Sequence, residues 1–305
     1  MALKLKIIIN PSSGRETARY NVEDTLAYLS SFNELERADL YYTMKQHDAE
    51  RYAAETDPAE YDYIIAAGGD GTVNEVITGL MKNGIDIPLA IYTSGTVNDF
   101  ATINHLPSLP SDFARMLMHP EIKVVDCGKA NDFYFLNVLA GGMMSDVSYR
   151  VPSSLKTTFG PAAYWMSAIK DIPSLNTTIP VTFRTDKETI DDDVIMFFVS
   201  NSKSVGGFRN LMTRADLQDG LLDVLAVKKI DFGSVFPLLG NLLTNDHIYN
   251  DKVIYFQTNR LEITTSGDRG VVLDVDGEKG PSLPVSIECI PKAIRLLVPG
   301  EEEDR

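Results

Sequence analysis

Cysteine is almost absent from this chain: Cys127 and Cys289 are the two in 305 residues, and they lie far apart. There is no Cys-x-x-Cys pair and no Cys/His cluster at ligand spacing, which argues against a structural zinc centre. Both cysteines sit among apolar neighbours and are expected in the core. Long apolar runs are also missing. No stretch of eighteen apolar residues occurs, so no transmembrane segment is expected. Basic residues are in deficit, 28 Lys and Arg against 43 Asp and Glu, for a net charge of −15. That balance argues against nucleic-acid binding, which needs a basic surface. It leaves a lipid substrate open, because a local basic patch is enough to meet an anionic membrane. Repeats are absent, and biased sequence is confined to the Glu301-Glu302-Glu303-Asp304 tail, read as a solvated end.

The rest is ordinary globular material, long enough for two domains with a core each. At the N-terminus Lys4 and Lys6 alternate with Leu3, Leu5 and Ile7 before Asn10-Pro11. The alternation fits a first strand better than a signal peptide, and no small-residue cleavage site follows. A cytoplasmic protein is therefore expected, and the formal sequon at Asn176 is discounted on that ground.

The first ~125 residues alternate strand and helix. Strands are expected at 5–9, 38–43, 63–67 and 88–92, and helices up to about Leu29, at 47–55 and after Gly71. Such units imply a parallel sheet with helices on both faces, an α/β domain over residues 1–124. From about 125 the texture changes to short strands with turn signals, at 124–130, 133–138, 178–184, 193–200, 221–227, 253–256, 260–265 and 285–290. These predict a mainly antiparallel β-sandwich over 125–292, interrupted by helices at 162–170 and 232–243. A last strand at 293–298 lies in the segment 293–305, which is free to return to the first domain.

The most informative stretch is Gly68-Gly69-Asp70-Gly71-Thr72-Val73-Asn74-Glu75-Val76, directly after an apolar strand. Glycines let the backbone approach an anion, and the amides of a helix start point toward it. Asp70 is the unusual element, since a phosphate cradle ordinarily avoids negative charge. A carboxylate there makes sense with a divalent cation or a proton transfer, which points to phosphoryl chemistry. No Lys stands where a P-loop requires one, and the dinucleotide fingerprint starting at Gly69 reaches Asn74 where its third glycine should be. The plain alternative is a tight strand-to-helix turn without a ligand.

Two further polar turns fall at the carboxyl ends of parallel strands, where such sheets bind ligands. They are Asn10-Pro11-Ser12-Ser13-Gly14 and Thr93-Ser94-Gly95-Thr96-Val97-Asn98-Asp99. Each alone reads as a capped helix start, whereas their recurrence favours one nucleotide site. In the second domain, Asp274-Val275-Asp276-Gly277-Glu278 gathers carboxylates around a glycine, and alternation puts Asp274 and Asp276 on the face opposite Val275. As an EF-hand loop it fails, because Val272 and Leu283 would hold the first and twelfth positions. It reads either as an acidic hairpin tip or as a carboxylate that takes the proton of a substrate hydroxyl.

With Gly95-Thr96-Val97-Asn98-Asp99-Phe100, Asp219-Gly220-Leu221-Leu222-Asp223-Val224 and Asp276-Gly277-Glu278 following the glycine turn in order, the chain resembles the diacylglycerol kinase and lipid kinase family over nearly its whole length. Gly-Gly-Asp-Gly alone is shared with NAD kinases and phosphofructokinases, but no Thr-Gly-Ser-Thr-Ala-Tyr-like segment follows to favour a NAD kinase. The resemblance implies an α/β nucleotide domain, a β-sandwich domain and ATP bound in the cleft between them. It implies ATP contacts from Asn10, Pro11, Ser12, Ser13, Gly14, Thr43, Gly68, Gly69, Asp70, Gly71, Thr72, Val73, Asn74 and Thr96. Glu278 would accept the proton with Asp276 beside it, and Asp70 would support catalysis and metal-bound phosphate. A structural Mg²⁺ would take the Asp219 side chain and backbone oxygens of Asp216 and Leu221, hard donors that suit that ion. Where the family often has Pro before Ser94-Gly95-Thr96, this chain has Thr93.

The expected function is therefore an ATP- and Mg²⁺-dependent lipid kinase acting on a hydroxyl, with diacylglycerol the first choice, in peripheral contact with a membrane. A soluble-substrate kinase acting on NAD and a nucleotide-binding regulatory module without transfer activity are the alternatives. Membrane contact is expected of Phe159-Gly160-Pro161-Ala162-Ala163-Tyr164-Trp165-Met166, flanked by Arg150, Lys156 and Lys170, unless it is a core helix. Residues 203–209 are read as a loop near the acceptor, and the sequence is compatible with a homodimer.

Overall fold

A computed structural model describes residues 2–13, 17–93, 99–142, 178–230, 232–266 and 270–300. Gly14, Thr96, the 162–170 helix, the Trp165 stretch with its flanking cations and the acidic tail lie outside the described residues. The chain divides into two units, Met1–Val125 with Lys292–Arg305 and Asp126–Pro291.

In chain order the first unit carries β1 (Leu3–Ile9), α1 (Ala18–Ser31), β2 (Leu35–Tyr42), α2 (Asp48–Ala54), β3 (Tyr63–Gly68), α3 (Asp70–Asn83), β4 (Leu89–Thr93), α4 (Asp99–Ile103) and α5 (Pro110–Met118). β5 (Pro120–Ala130) passes into the second unit, which continues with β6 (Phe133–Phe135), β7 (Val138–Gly142), β8 (Ile179–Arg184), β9 (Thr189–Ser200), β10 (Leu222–Lys228) and α6 (Phe232–Thr244). A 3-10 turn at His247–Tyr249, β11 (Val253–Thr258), β12 (Arg260–Thr265), β13 (Val272–Val275) and β14 (Glu278–Ser282) follow, and β15 (Val285–Pro299) returns to the first unit.

The first unit's strands pair in parallel in the order β2-β1-β3-β4-β15. The runs of β3 and β4 are continuously apolar because both faces are covered. Leu5, Ile7 and Ile9 of β1 face the core formed with α1 and α5, where α1 contributes Ala18, Val22 and Leu29 at helical spacing. The opposite face is covered by α2 and α3, which pack on each other. Their approach depends on Gly79: a Cβ there would lie 2.3 Å from the Glu50 carbonyl oxygen and 2.8 Å from Ala53 Cβ. Gly84, at φ +61, ends α3, with Ile85 N–H donating to Leu80 O.

Lys6 is the exception on this second face, only 2% exposed. Its ammonium lies 4.8 Å from the ring of Tyr41 and 5.9 Å from that of Tyr61. Burial holds its pKa below the usual lysine value of 10.5, against the opposing pull of Glu55, Asp39 and Glu60. The unfolded chain therefore binds this proton more tightly, and the cost of burying the cation is present in full at neutral pH. It is relieved as pH rises through the folded pKa toward 10.5. Lys6→Met is expected to stabilise the protein by about 1 kcal/mol at pH 7, with a gain over wild type that shrinks as the pH approaches 10.5. Paired urea melts across that range check it; a variant less stable than wild type at pH 7 would show that the aromatic and carboxylate neighbours outweigh desolvation.

The second unit is antiparallel and forms a β-sandwich. β9 is its spine: residues 189–194 pair with β8, and residues 196–200 lie between β7 and β10. One core gathers Phe135, Phe183, Phe197, Leu273 and Ile287, and a second gathers Ile195, Phe198, Met212 and Leu225. Two expectations change here. The strands expected at 285–290 and 293–298 are one fifteen-residue strand, whose last part, from Lys292, belongs to the first unit and pairs with β4 at Leu296–Leu89. Asp274 and Asp276 do not share a strand face: Asp274 is in β13, and Asp276, at φ +49, is in the turn.

Candidate active site

The strand ends of the first unit bring Asn10 and the glycine turn together. Asn10 extends the β1–β3 ladder by donating its N–H to Ala67 O, at 2.9 Å. Pro11 then takes the second position of a turn closed by Ser13 N–H on Asn10 O at 3.2 Å, while Asn10 Oδ1 accepts Ser12 N–H at 3.1 Å. The same side chain reaches across to α3, its Nδ2 donating to Thr72 Oγ1 at 3.1 Å. Gly68 permits this closeness: a Cβ on it would sit 2.5 Å from Thr72 Oγ1 and 2.6 Å from Thr72 Cβ. Gly69 is extended and starts α3, with Thr72 and Val73 N–H both donating to its carbonyl. The leading amides of the first turn have no carbonyl a turn earlier to bind, the property that makes a helix start attract anions. Asp70 is exposed at the first position of this helix. Thr43 continues from β2, its N–H donating to Ile9 O at 2.9 Å. Glu75 faces elsewhere: its carboxylate accepts the N–H of His47 at 2.9 Å and of Ala49 at 3.1 Å, closing the N-terminus of α2.

In the second unit, Asp276 and Gly277, at φ +49 and +90, form the two-residue tip joining β13 to β14. Such tips favour Asp-Gly because both residues need the left-handed region. Asp274, buried, locks the tip by accepting Gly277 N–H on Oδ1 at 2.8 Å. The Asp276 carboxylate accepts three amides, Leu136 at 2.9 Å, Asn137 at 3.1 Å and Val138 at 2.8 Å, and its own N–H donates to Val138 O. Glu278, one residue past the tip, opens β14 and is exposed.

The third group surrounds the loop before β10. Asp216 Oδ1 accepts Gln218 N–H at 3.0 Å, Asp219 Oδ1 accepts Leu221 N–H at 2.9 Å, and Gly220 turns at φ +74. Asp126, fully buried, accepts Gly220 N–H at 2.7 Å and donates its own N–H to Leu217 O. Asp223, also buried, is bonded by the Tyr255 hydroxyl and by Gln257 Nε2, and burial raises its pKa. The Asp219 carboxyl is held above the usual range by desolvation first and then by the Asp216 and Asp126 carboxylates. Crowded carboxylates of this kind suit a divalent cation. Among the described residues no three His, Cys, Asp or Glu side chains converge on a metal position. A cation on Asp219 therefore needs main-chain oxygens and water, a donor set that suits Mg²⁺.

Asp126 and Asn201 belong to this architecture and are not singled out by sequence patterns. Their one local signal is a polar residue closing or interrupting an apolar strand, as in Val124-Val125-Asp126-Cys127 and Phe197-Phe198-Val199-Ser200-Asn201.

Residues 4–130 match the family described as "Diacylglycerol kinase catalytic domain", and residues 137–298 match "YegS C-terminal NAD kinase beta sandwich-like domain". A curated relative named diacylglycerol kinase from Staphylococcus haemolyticus is 33% identical, over 96% of this chain and 88% of that protein. One from Bacillus subtilis is 32% identical, over 99% and 98%. A crystal structure of a diacylglycerol kinase from Bacillus anthracis superposes with a TM-score of 0.78 at 27% identity, covering 97% of this chain and 96% of that one. Both units are spanned by these likenesses, so the chain belongs to the diacylglycerol kinase family and is a kinase, a phosphotransferase.

Proposed function

We propose that the protein transfers the γ-phosphate of ATP, with Mg²⁺, to the hydroxyl of a lipid, diacylglycerol, to yield phosphatidic acid. The observation that carries this reading is the α3 seat, where a glycine-lined helix start stands beside a carboxylate, Asp70. Asn10, Pro11, Ser12, Ser13, Gly14, Thr43, Thr96 and the backbone of 68–74 hold the nucleotide. Asp70 orients metal-bound phosphate. Bound Mg²⁺ supplies charge neutralisation at the phosphoryl oxygens. In the second unit Glu278 takes the proton from the acceptor hydroxyl as its oxygen bonds the γ-phosphorus, the bond to the β-phosphate oxygen breaks and ADP leaves. Asp276 is the weaker candidate for that proton, because its carboxylate already accepts three amides. Asp219, with the backbone oxygens of Asp216 and Leu221, would hold a second, structural Mg²⁺. The enzyme works in the cytoplasm on the membrane surface; among the described residues no helix is long and apolar enough to cross a membrane.

A second reading, NAD phosphorylation, is favoured by the description of the matched sandwich family. The two separate when ATP labelled at the γ-position is offered with diacylglycerol micelles and with NAD, each with and without Mg²⁺. Label is expected in phosphatidic acid alone and with Mg²⁺ alone; label in NADP would replace the lipid reading.

A further inference from the structure

Ser200 and Asn201, at the end of β9, are buried polar residues to which the reading above gives no task. Asn201 Nδ2 donates to two main-chain carbonyls from different parts of the unit, Asp126 O at 2.8 Å and Leu136 O at 3.2 Å. Both partners are acceptors only, so the amide nitrogen must face them, and an isosteric aspartate could not take its place. Asn201 N–H donates to Asn137 O at 2.9 Å, and the Ser200 hydroxyl shares its one proton between that oxygen, at 2.9 Å, and Ser202 O, at 2.8 Å. The 136–138 segment is thus held from two sides. The Leu136 and Asn137 carbonyls are bound by the end of β9, and the three amides and the Val138 carbonyl by Asp276. The Asp126 carbonyl belongs to the residue whose carboxylate holds Gly220 N–H in the acidic loop.

We infer that Asn201 is a positioning residue for phosphoryl transfer: one buried amide ties the hairpin that carries Glu278 to the loop that carries Asp219. The inference rests on the proposed roles of those two carboxylates. Removing the amide takes a donor away from two buried backbone carbonyls, and backbone acceptors cannot be substituted away. Loss at Leu136 removes one of the holds on the segment that frames Asp276, so the tip bearing Glu278 shifts. Loss at Asp126 frees the strand that supports Gly220. The nucleotide seat of the first unit is untouched by either.

The test uses the full chain carrying Asn201→Ala, with Asn201→Ser as the milder variant that keeps a shorter polar donor there, and Glu278→Gln alongside. Asn201→Ala should lower kcat about a hundredfold, the scale of a small misplacement of reacting groups. KM for ATP should stay unchanged and the Mg²⁺ concentration for half-activation should rise, with Asn201→Ser intermediate. Amide exchange at 136–138 should accelerate, while exchange in β8 should not. Wild-type kcat in both Asn201 variants beside an inactive Glu278→Gln overturns the inference and leaves the catalytic reading standing. So does unchanged exchange at 136–138, or a kcat deficit that vanishes well below the variant's Tm. An active Glu278→Gln removes the catalytic reading and the inference together.

Discussion

Glu278→Gln is expected to cut kcat for phosphate transfer to lipid by about a thousandfold, roughly 4 kcal/mol of barrier. The glutamine has the same volume but takes no proton. Glu278 is exposed at the start of β14, next to a tip whose fold is secured by Asp274 and Asp276, so the substitution should leave Tm and ATP affinity where they were. Asp276→Asn provides the contrast. Its side-chain NH2 would face an amide where a carboxylate oxygen stood, and it should lose stability as well as rate. Single-turnover transfer of labelled phosphate, with melts of each variant, separates the two. A Glu278→Gln enzyme turning over near the wild-type rate would take the proton acceptor away from this residue.

Gly68→Ala should weaken ATP binding at least about tenfold and destabilise the first unit by about 2 kcal/mol, as overpacking does. Rotating the Thr72 side chain cannot relieve the clash, because the new Cβ would lie 2.6 Å from Thr72 Cβ, which is fixed by the helix backbone. The start of α3 has to move relative to β3, and the Asn10–Thr72 hydrogen bond, 3.1 Å long, is strained or lost with it. Calorimetric titration of ATP and a thermal melt measure both effects. Wild-type affinity in a destabilised variant would mean that the seat does not hold the phosphates.

The α/β class of the first unit was legible because β3 and β4 are buried on both faces and read as apolar runs before polar turns. The sandwich class was legible from short strands between turns. The length of β15 was not: Pro291 and Lys292, the latter at φ +53, break the apolar pattern while the chain runs on extended. Around the acidic hairpin tip, β13 and β14 were not among the expected strands, for opposite reasons. β13 carries a buried Asp274 among its apolar residues, and β14, Glu-Lys-Gly-Pro-Ser, has no strand-forming residue and survives as an edge. At the candidate site, the glycine turn announced itself because its conformation is local. The bond from Asn10 to Thr72 spans 62 residues and those from Asp276 to the 136–138 amides span 138 to 140, distances at which no periodicity speaks. Glu75 shows the converse. Its place inside the motif invites a ligand role, and its carboxylate closes a neighbouring helix.

That closure makes α2 a dependent element. Seven residues are too few to hold helical form in water, since nucleation costs more than so short a ladder returns. Its first amides rest on Glu75 of α3, and its middle presses on Gly79 of the same helix. α2 and α3 therefore form one cooperative foldon, in which a local opening of either exposes both. A phosphate bound at the start of α3 would hold shut a segment half as large again as the helix it touches.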